Sequence, residues 1–578
     1  MERGSRILVF LAIFAGLYFF FGRKDESSSE RRVEEPALVL PSGARPEPAL
    51  CDVWTKKFRS RVSSRGGVLV SHEPLTAKYR KHGKPLELVT TPDHPHLGPW
   101  YTSFRSAAQP QAIQDWLVPT DVLDFEITVD SGDSCEMKYE DDKVLVKKVV
   151  AAGKTPYALH VSTEITNKSS QAGTYALSMG TSSYLIDDEV SSKMFRMNPR
   201  MTHVECVTDS GTIWREGLDD FAADDFDDAE RFPRSDLNSG QWSQPTGQGV
   251  LAAVSNAYFT DAIAHLDGPA APVCLLQIDR RWHVGQYAGP SDDPESGAIY
   301  KSRLAYAPRS LAAGATERFD FQAFVGPKER KALAAAGSEF DSLIDLGFFS
   351  IIAKVLVSYL LWLYEIVPSW GLAIVLLTIT TRTLLFPLTW PSIKNMVQMR
   401  ELKPEMDRLN QKYKDDAQAK GLAQMELWKK HGVNPMKGCL PQLVSMPVWF
   451  ALYTTLQSAV ELYNIPFLWF PDLSEADPYY ILPFVIGAVF FLQQKLMPMQ
   501  ADPAQQKMMM YFMPIMFTVF MLFLPAGLGV YMFTNSLLGI VQQQVVEQHA
   551  KHTLEERKNR VEVMDTPGAK KKKKRRGS

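Results

Sequence analysis

Cysteine is rare in this sequence: there are five in 578 residues, too few for a scaffold built from disulfides. Charge of one sign is missing as well. The 63 Lys and Arg against 65 Asp and Glu leave a formal net charge of −2, which argues against a dedicated nucleic-acid binder, usually basic along one face. Long apolar runs are absent between about residues 25 and 340 and frequent after that. This uneven distribution predicts a membrane protein carrying a large water-soluble insertion.

Motifs for chemistry are sparse too. Ala152-Gly153-Lys154-Thr155 ends like a phosphate-binding loop, but Lys148 stands where the first glycine must let the backbone wrap the phosphates. Asp93, His94 and His96 have a metal-like look that a turn rich in Pro92, Pro95 and Pro99 explains as well. The acidic run over residues 219–230 lacks the regular spacing and central glycine of a calcium loop and reads as a solvated loop. The expectation is therefore no enzyme chemistry, no metal, no cofactor and no small-molecule substrate.

Between about residues 60 and 326 the pattern has period two. Leu123, Phe125, Ile127 and Val129 alternate with polar residues; so do Tyr157, Leu159, Val161 and Ile165, and so do Phe319, Phe321, Ala323 and Val325. Alternation sends one side chain to a core and the next to water. Many such runs, separated by turn residues, predict a large antiparallel β-sandwich. Cys51, Cys135, Cys206 and Cys274 all fall near or within it. In an oxidising space they would form one or two disulfides, and otherwise they stay buried thiols.

Residues 7–22 form an uncharged apolar run that ends in Phe19-Phe20-Phe21-Gly22-Arg23-Lys24 without a small-residue cleavage site. A retained signal anchor over residues 1–24 fits better than a cleaved peptide. Residues 25–59 read as a flexible linker. Residues 327–367 hold a linker and an amphipathic helix interrupted by Lys354 and Glu365, which suits the membrane surface. Five spans follow within 368–550: 370–390, closed by Pro391, then about 440–460, 480–492, 510–524 and 527–541. With the anchor that makes six. The loop over 392–437 carries ten Lys and Arg, whereas 461–478 carries four acids and no base. Basic loops stay in the cytoplasm. Both termini are then cytoplasmic and the β-domain lies outside.

Arg382 lies inside the otherwise apolar LAIVLLTITTRTLLFPL. A mid-membrane arginine costs at least about 2.5–3.5 kcal/mol on insertion scales and normally faces a wet cavity. Snorkelling toward the cytoplasm is the rival reading. Thr378 shares its helix face; Gln442, Ser445 and Trp449 share a face in the next span, and Tyr531 and Asn535 in the last. No acid occurs within these spans, so the set predicts a positively charged, water-filled groove. Met396, Met399, Leu402 and Met406 form one helical stripe of the basic loop, and Met425 and Trp428 belong to another. Together they read as a helical hairpin that captures apolar segments, since methionine suits surfaces with many partners; gap filling is the rival. In the basic tail, 551–578, Lys570, Lys571, Lys572, Lys573, Lys574, Arg575 and Arg576 suit ribosomal RNA or anionic lipid.

The segments TTRTLLFPLT, VNPMKGCLPQLVSMPVWFALY, DPYYILP and DPAQQKMMMYFMPIMFTVF, followed by QQQ, resemble the YidC family of membrane protein insertases. The resemblance covers 343 to about 548, and the β-domain is similar to the periplasmic domain of the form found in bacteria with two membranes. It implies a polytopic α-helical membrane protein: a five-helix core around a hydrophilic groove, with Arg382 as the groove arginine and Thr378 beside it. The implied partners are nascent membrane proteins, the lipid bilayer and the general secretion translocon. One departure is Tyr531-Met532, where the family often has two adjacent tyrosines. A channel or secondary transporter would also explain Arg382, though such proteins more often pair it with an acid. A sugar-processing enzyme would need clustered acids or histidines.

Overall fold

Backbone groups that leave water must be paired, and alternating sequences pair theirs by laying strand against strand. The computed structural model describes residues 33–34, 45–81, 83–91, 97–107, 122–186, 201–217, 241–268, 270–283, 296–414, 416–433, 435–496 and 508–565. Within them a nine-stranded antiparallel sheet runs in the order Ile213–Glu216, His203–Thr208, Gly249–Ser255, Phe259–Asp267, Thr316–Pro327, Ala158–Asn167, Val144–Ala152, Ser134–Glu140, Glu126–Asp130. Thr316–Pro327 sits at its middle, Phe321 pairing with Val161 on one side and His265 on the other. In a five-stranded sheet, Gly173–Ile186 pairs with Ser296–Ala305, Arg309–Leu311 and Thr102–Ala107, and Ser296–Ala305 also pairs with Val273–His283. One apolar cluster draws on both sheets, with Leu251, Ile263 and Phe321 from the first and Leu177, Met179 and Tyr300 from the second.

Phe319, Phe321, Ala323 and Val325 are buried, as alternation requires. Phe324, on the opposite face, is buried too. Two short helices, α1 (Arg330–Ala336) and α2 (Ser338–Asp341), follow the strand, and Phe340 of α2 packs on Phe324 with ring centroids 5.9 Å apart. At Glu126–Asp130 the pattern breaks down. Val129 is 39% exposed because the register against Ser134–Glu140 shifts between Ile127 and Val129, a bulge that breaks the period-two alternation. The cysteines pair as Cys51–Cys135 and Cys206–Cys274, with Cα atoms 6.0 and 6.3 Å apart. Ala152-Gly153-Lys154-Thr155 closes a hairpin between two strands, Gly153 N–H donating to the Ala158 carbonyl at 2.8 Å. A phosphate loop would need a helix there. The residues 93–96 and 219–230 weighed above lie outside the described residues, as do the anchor run 7–22 and Lys570 to Arg576.

The second half is helical: α3 (Ser350–Ile366), α4 (Trp370–Glu401), α5 (Lys403–Lys412), α6 (Ala417–Lys430), α7 (Pro435–Ser458), α8 (Ile481–Leu496), α9 (Met513–Met521, after a π-turn at Met508–Phe512) and α10 (Ala526–Asp565). Among the described residues one helix, Trp370–Met399, is long and apolar enough by itself to cross a bilayer. The expected span 370–390 forms the first part of this helix, which runs on through Pro387 and Pro391 to Glu401; Trp390 packs against His549 of α10 with ring centroids 5.3 Å apart. The last helix also outruns its expected end at residue 541, reaching Asp565 over 40 residues, or about 60 Å.

Helix α3 has two apolar faces. Ala353, Leu356, Leu360 and Leu363 pack into the helical core, while Ile351, Val355, Trp362 and Ile366 are exposed beside Lys354 and Glu365. Exposed apolar side chains also cover α4, α8 and α9, among them Leu384, Phe484, Ile515 and Val519. Such a continuous apolar surface suits contact with lipid.

Candidate functional site

Helix α4 is long and apolar enough to cross a bilayer, and the cation inside its apolar stretch, Arg382, meets α10. Arg382 Nε donates to Asn535 Oδ1 at 2.6 Å, and Nη1 donates to Gln542 Oε1 at 3.3 Å. Gln542 Nε2 returns a bond to the Arg382 carbonyl at 3.2 Å. Asn535 and Gln542 are seven residues apart, two turns on one face of α10. Gly539 lies between them, and a Cβ there would come within 3.4 Å of Arg382 Nη2 and 3.3 Å of Gln493 Nε2. Gly539 thus leaves the guanidinium and Gln493 close against the α10 backbone. Arg382 is half-buried, and the side chains it bonds among the described residues offer neutral oxygens.

The other expected groove residues divide. Tyr531 is buried on α10, within electrostatic reach of Arg382. Thr378 does not join them: it is fully buried and its hydroxyl donates to the Ile374 carbonyl of its own helix at 2.7 Å. Threonines in apolar surroundings satisfy themselves this way. Trp449 reaches α10 at another point, its indole N–H donating to Met532 Sδ at 3.1 Å. Met532 thus occupies the place of the second tyrosine as a packed residue, 4% exposed. Gln442 and Ser445 lie on α7, and their side chains are outside the described ones. Gln542, Gly539 and Gln493 escaped the sequence reading, which ended the last span one residue before Gln542. The seven-residue step from Asn535 was the signal available.

Helices α5 and α6 form a hairpin, with Gln424 Nε2 donating to Asn410 Oδ1 at 3.0 Å. Asp416 caps α6 by accepting from Gln418 N and Ala419 N at 3.0 and 2.9 Å, which satisfies two orphan amides. Leu402 and Met406 are buried, Met399 and Trp428 are half-buried, and Met425 is 57% exposed. The side chain of Met396 is outside the described ones. The hairpin stripes are therefore split between packing and open surface. Among the described residues no group of three His, Cys, Asp or Glu could hold a metal.

The sequence matches two family profiles: the 60Kd inner membrane protein over residues 362–553 and the YidC periplasmic domain over residues 50–359. A membrane protein insertase YidC from Anaeromyxobacter dehalogenans is 35% identical over 500 residues, 86% of this chain and 84% of that protein. One from Geotalea daltonii is 31% identical over 527 residues, 88% of this chain and 89% of that protein. A crystal structure of an active YidC insertase with its first transmembrane domain resolved is 17% identical and covers 94% of this chain and 99% of its own, at a TM-score of 0.34.

Proposed function

The chain belongs to the YidC family of membrane protein insertases, and we propose that it works by lending a hydrophobic segment a wet, positively charged path into the bilayer. Its function is membrane protein insertion. In the proposed mechanism an incoming segment meets the α5–α6 hairpin, where Met425 offers an adaptable apolar contact. The polar flank enters the groove and its acidic residues are attracted by Arg382. The apolar part then leaves between the helices into lipid, driven by its own burial at about 25 cal/mol per Å². A membrane potential adds about 2.3 kcal/mol per charge per 100 mV for an acidic flank moving outward. No covalent step is required.

The observation that carries this reading is the bonding of Arg382 to Asn535 and Gln542, an arginine in an apolar helix held by neutral oxygens alone. An acidic flank can replace those oxygens with a stronger, charge-assisted bond. The proposed topology has six spans, an outer antiparallel β-sandwich over 60–326 and cytoplasmic termini, supported by the charge contrast between 392–437 and 461–478. Gln442, Ser445, Trp449 and Tyr531 are proposed as surroundings of the groove. The tail from Lys570 to Arg576 is proposed to touch the ribosome or anionic lipid, and the general secretion translocon is a proposed partner.

The test uses purified protein in liposomes with a membrane potential. A substrate with two apolar segments and an acidic external loop is translated beside them, and protease protection of the loop is scored. Arg382→Ala is expected to lower protection at least about tenfold, with Arg382→Lys recovering most of it. Equal protection with wild type and Arg382→Ala would remove the arginine from the mechanism.

A further inference from the structure

The segment between α7 and α8 touches both halves of the molecule. On one side it meets the β-domain. Tyr463 packs among Tyr79, Tyr258 and Phe259, at centroid distances of 6.0, 5.5 and 5.6 Å. Tyr79 is fully buried, and Tyr258 and Val460 are buried in the same cluster. Asn464 Nδ2 donates to the Lys78 carbonyl at 3.0 Å, and Arg330 N–H donates to Glu461 Oε1 at 3.3 Å.

On its other side the same segment lies across the ends of three helices. Phe467 sits on Gly371 at the start of α4, so closely that a Cβ there would stand 2.2 Å from the ring. The Ala526 and Gly527 amides, at the start of α10, donate to the Glu475 and Leu473 carbonyls at 2.7 and 2.8 Å. Asp477 Oδ2 accepts from Leu482 N of α8 at 2.7 Å. Three non-glycine residues of the segment, Asn464, Leu468 and Tyr480, have φ of 53°, 53° and 57°. Such conformations cost on the order of 1–3 kcal/mol each and persist only where the surroundings over-determine them.

We propose that Tyr463 is a positioning residue: through it the β-domain braces the 459–480 segment over the ends of α4, α8 and α10, and so keeps the groove closed on that side. The inference rests on the topology proposed above. It assigns the β-domain a mechanical part in insertion. An aromatic anchor set in a buried cluster carries much of a contact's energy, and Tyr463 is the ring that ties this segment to the β-domain's cluster.

The test reads accessibility, not insertion. Ile374 of α4 faces this junction, its Cδ1 standing 3.6 Å from a Cβ built at Gly527. In a Cys439→Ser background, Ile374→Cys is labelled with a membrane-impermeant maleimide added to spheroplasts. Tyr463→Ala is expected to speed labelling at least about fivefold, since local opening becomes easier; Tyr463→Phe, which keeps the ring, is expected to stay at the wild-type rate. Asn464→Ala removes the bond to Lys78 and adds the cost of holding alanine at a φ of 53°; it is expected to speed labelling at least about twofold, which covers the case of Tyr463→Ala failing to fold. Unchanged labelling in both alanine variants, or equal acceleration in Tyr463→Phe, overturns the brace. An exposed reporter, Asp142→Cys in the β-domain, is labelled in parallel. If it stays unlabelled in intact spheroplasts, the topology itself fails and the brace with it.

Discussion

The two halves of the chain each draw a cation in from water, Lys148 fully and Arg382 in part, and treat it in opposite ways. In the β-domain Lys148 is wholly enclosed, with Nζ donating to the Trp100 carbonyl at 2.6 Å and to Thr102 Oγ1 at 2.9 Å. Burial pulls its pKa down to about 7, so it can shed the charge that the interior disfavours. In the helical half Arg382 also donates to two neutral oxygens, but a guanidinium keeps its proton at any working pH. One interior tolerates a cation by letting it discharge. The other retains a permanent charge and must offer it water or a partner. That difference separates a domain built for stability from a site built to attract.

The comparison can be broken most severely at the disulfides, which belong to the β-domain alone. Replacing Cys51 and Cys135 by serine reopens a loop with a sequence separation of 84, at a cost of about 4 kcal/mol in the β-domain's unfolding transition. Differential scanning calorimetry of the full chain would show it; an unmoved transition would mean that strand pairing alone sets the domain's stability.

Lys148 supplies the next test. The folded state releases its proton near pH 7 and the unfolded state only in the usual lysine range. Between those values the unfolded chain binds more protons, so stability rises with pH across that window. Lys148→Met is expected to flatten this slope, by about 2 kcal/mol between pH 7 and 9. Chemical denaturation at both pH values checks it, and a Met variant with the wild-type slope would show that Lys148 does not titrate there.

A smaller effect is expected in the groove. Gln542→Ala removes one of two neutral partners of Arg382 and is expected to lower insertion of an acidic-loop substrate two- to fivefold, the worth of one hydrogen bond of about 1 kcal/mol. A neutral-loop substrate, inserted beside it in the same liposomes, should change less. Equal losses would point to helix packing instead of the charge. Smallest of all, Asp416→Ala should loosen the start of α6 by about 1 kcal/mol, seen as faster amide exchange at Gln418 and Ala419.

Much of this architecture is legible in the sequence where one physical demand acts alone. Period-two runs such as 319–325 announce a core face, and Arg382 stands out because nothing else charged shares its run. Legibility fails where tertiary neighbours intervene. Val129 reads as core and is exposed, since a bulge between it and Ile127 cannot be read from a local pattern. Which cysteines pair depends on a fold that brings residues 51 and 135 together. Pro391 reads as the end of a span, yet the helix runs past it to Glu401. Gln542 was missed because a glutamine after an apolar run looks like the end of a span, and Thr378 was expected in the groove because helix spacing does not reveal which way a hydroxyl turns.

The position of Thr316–Pro327 sets an order of events during synthesis. It is the last-made strand of the nine-stranded sheet and also its middle one, between Phe259–Asp267 and Ala158–Asn167. Until the ribosome has passed residue 327, the two halves of that sheet have no partner to join them. Helix α3 begins 23 residues later, at Ser350. The sheet can therefore close only once nearly the whole β-domain has been made, a short stretch before the first core helix follows.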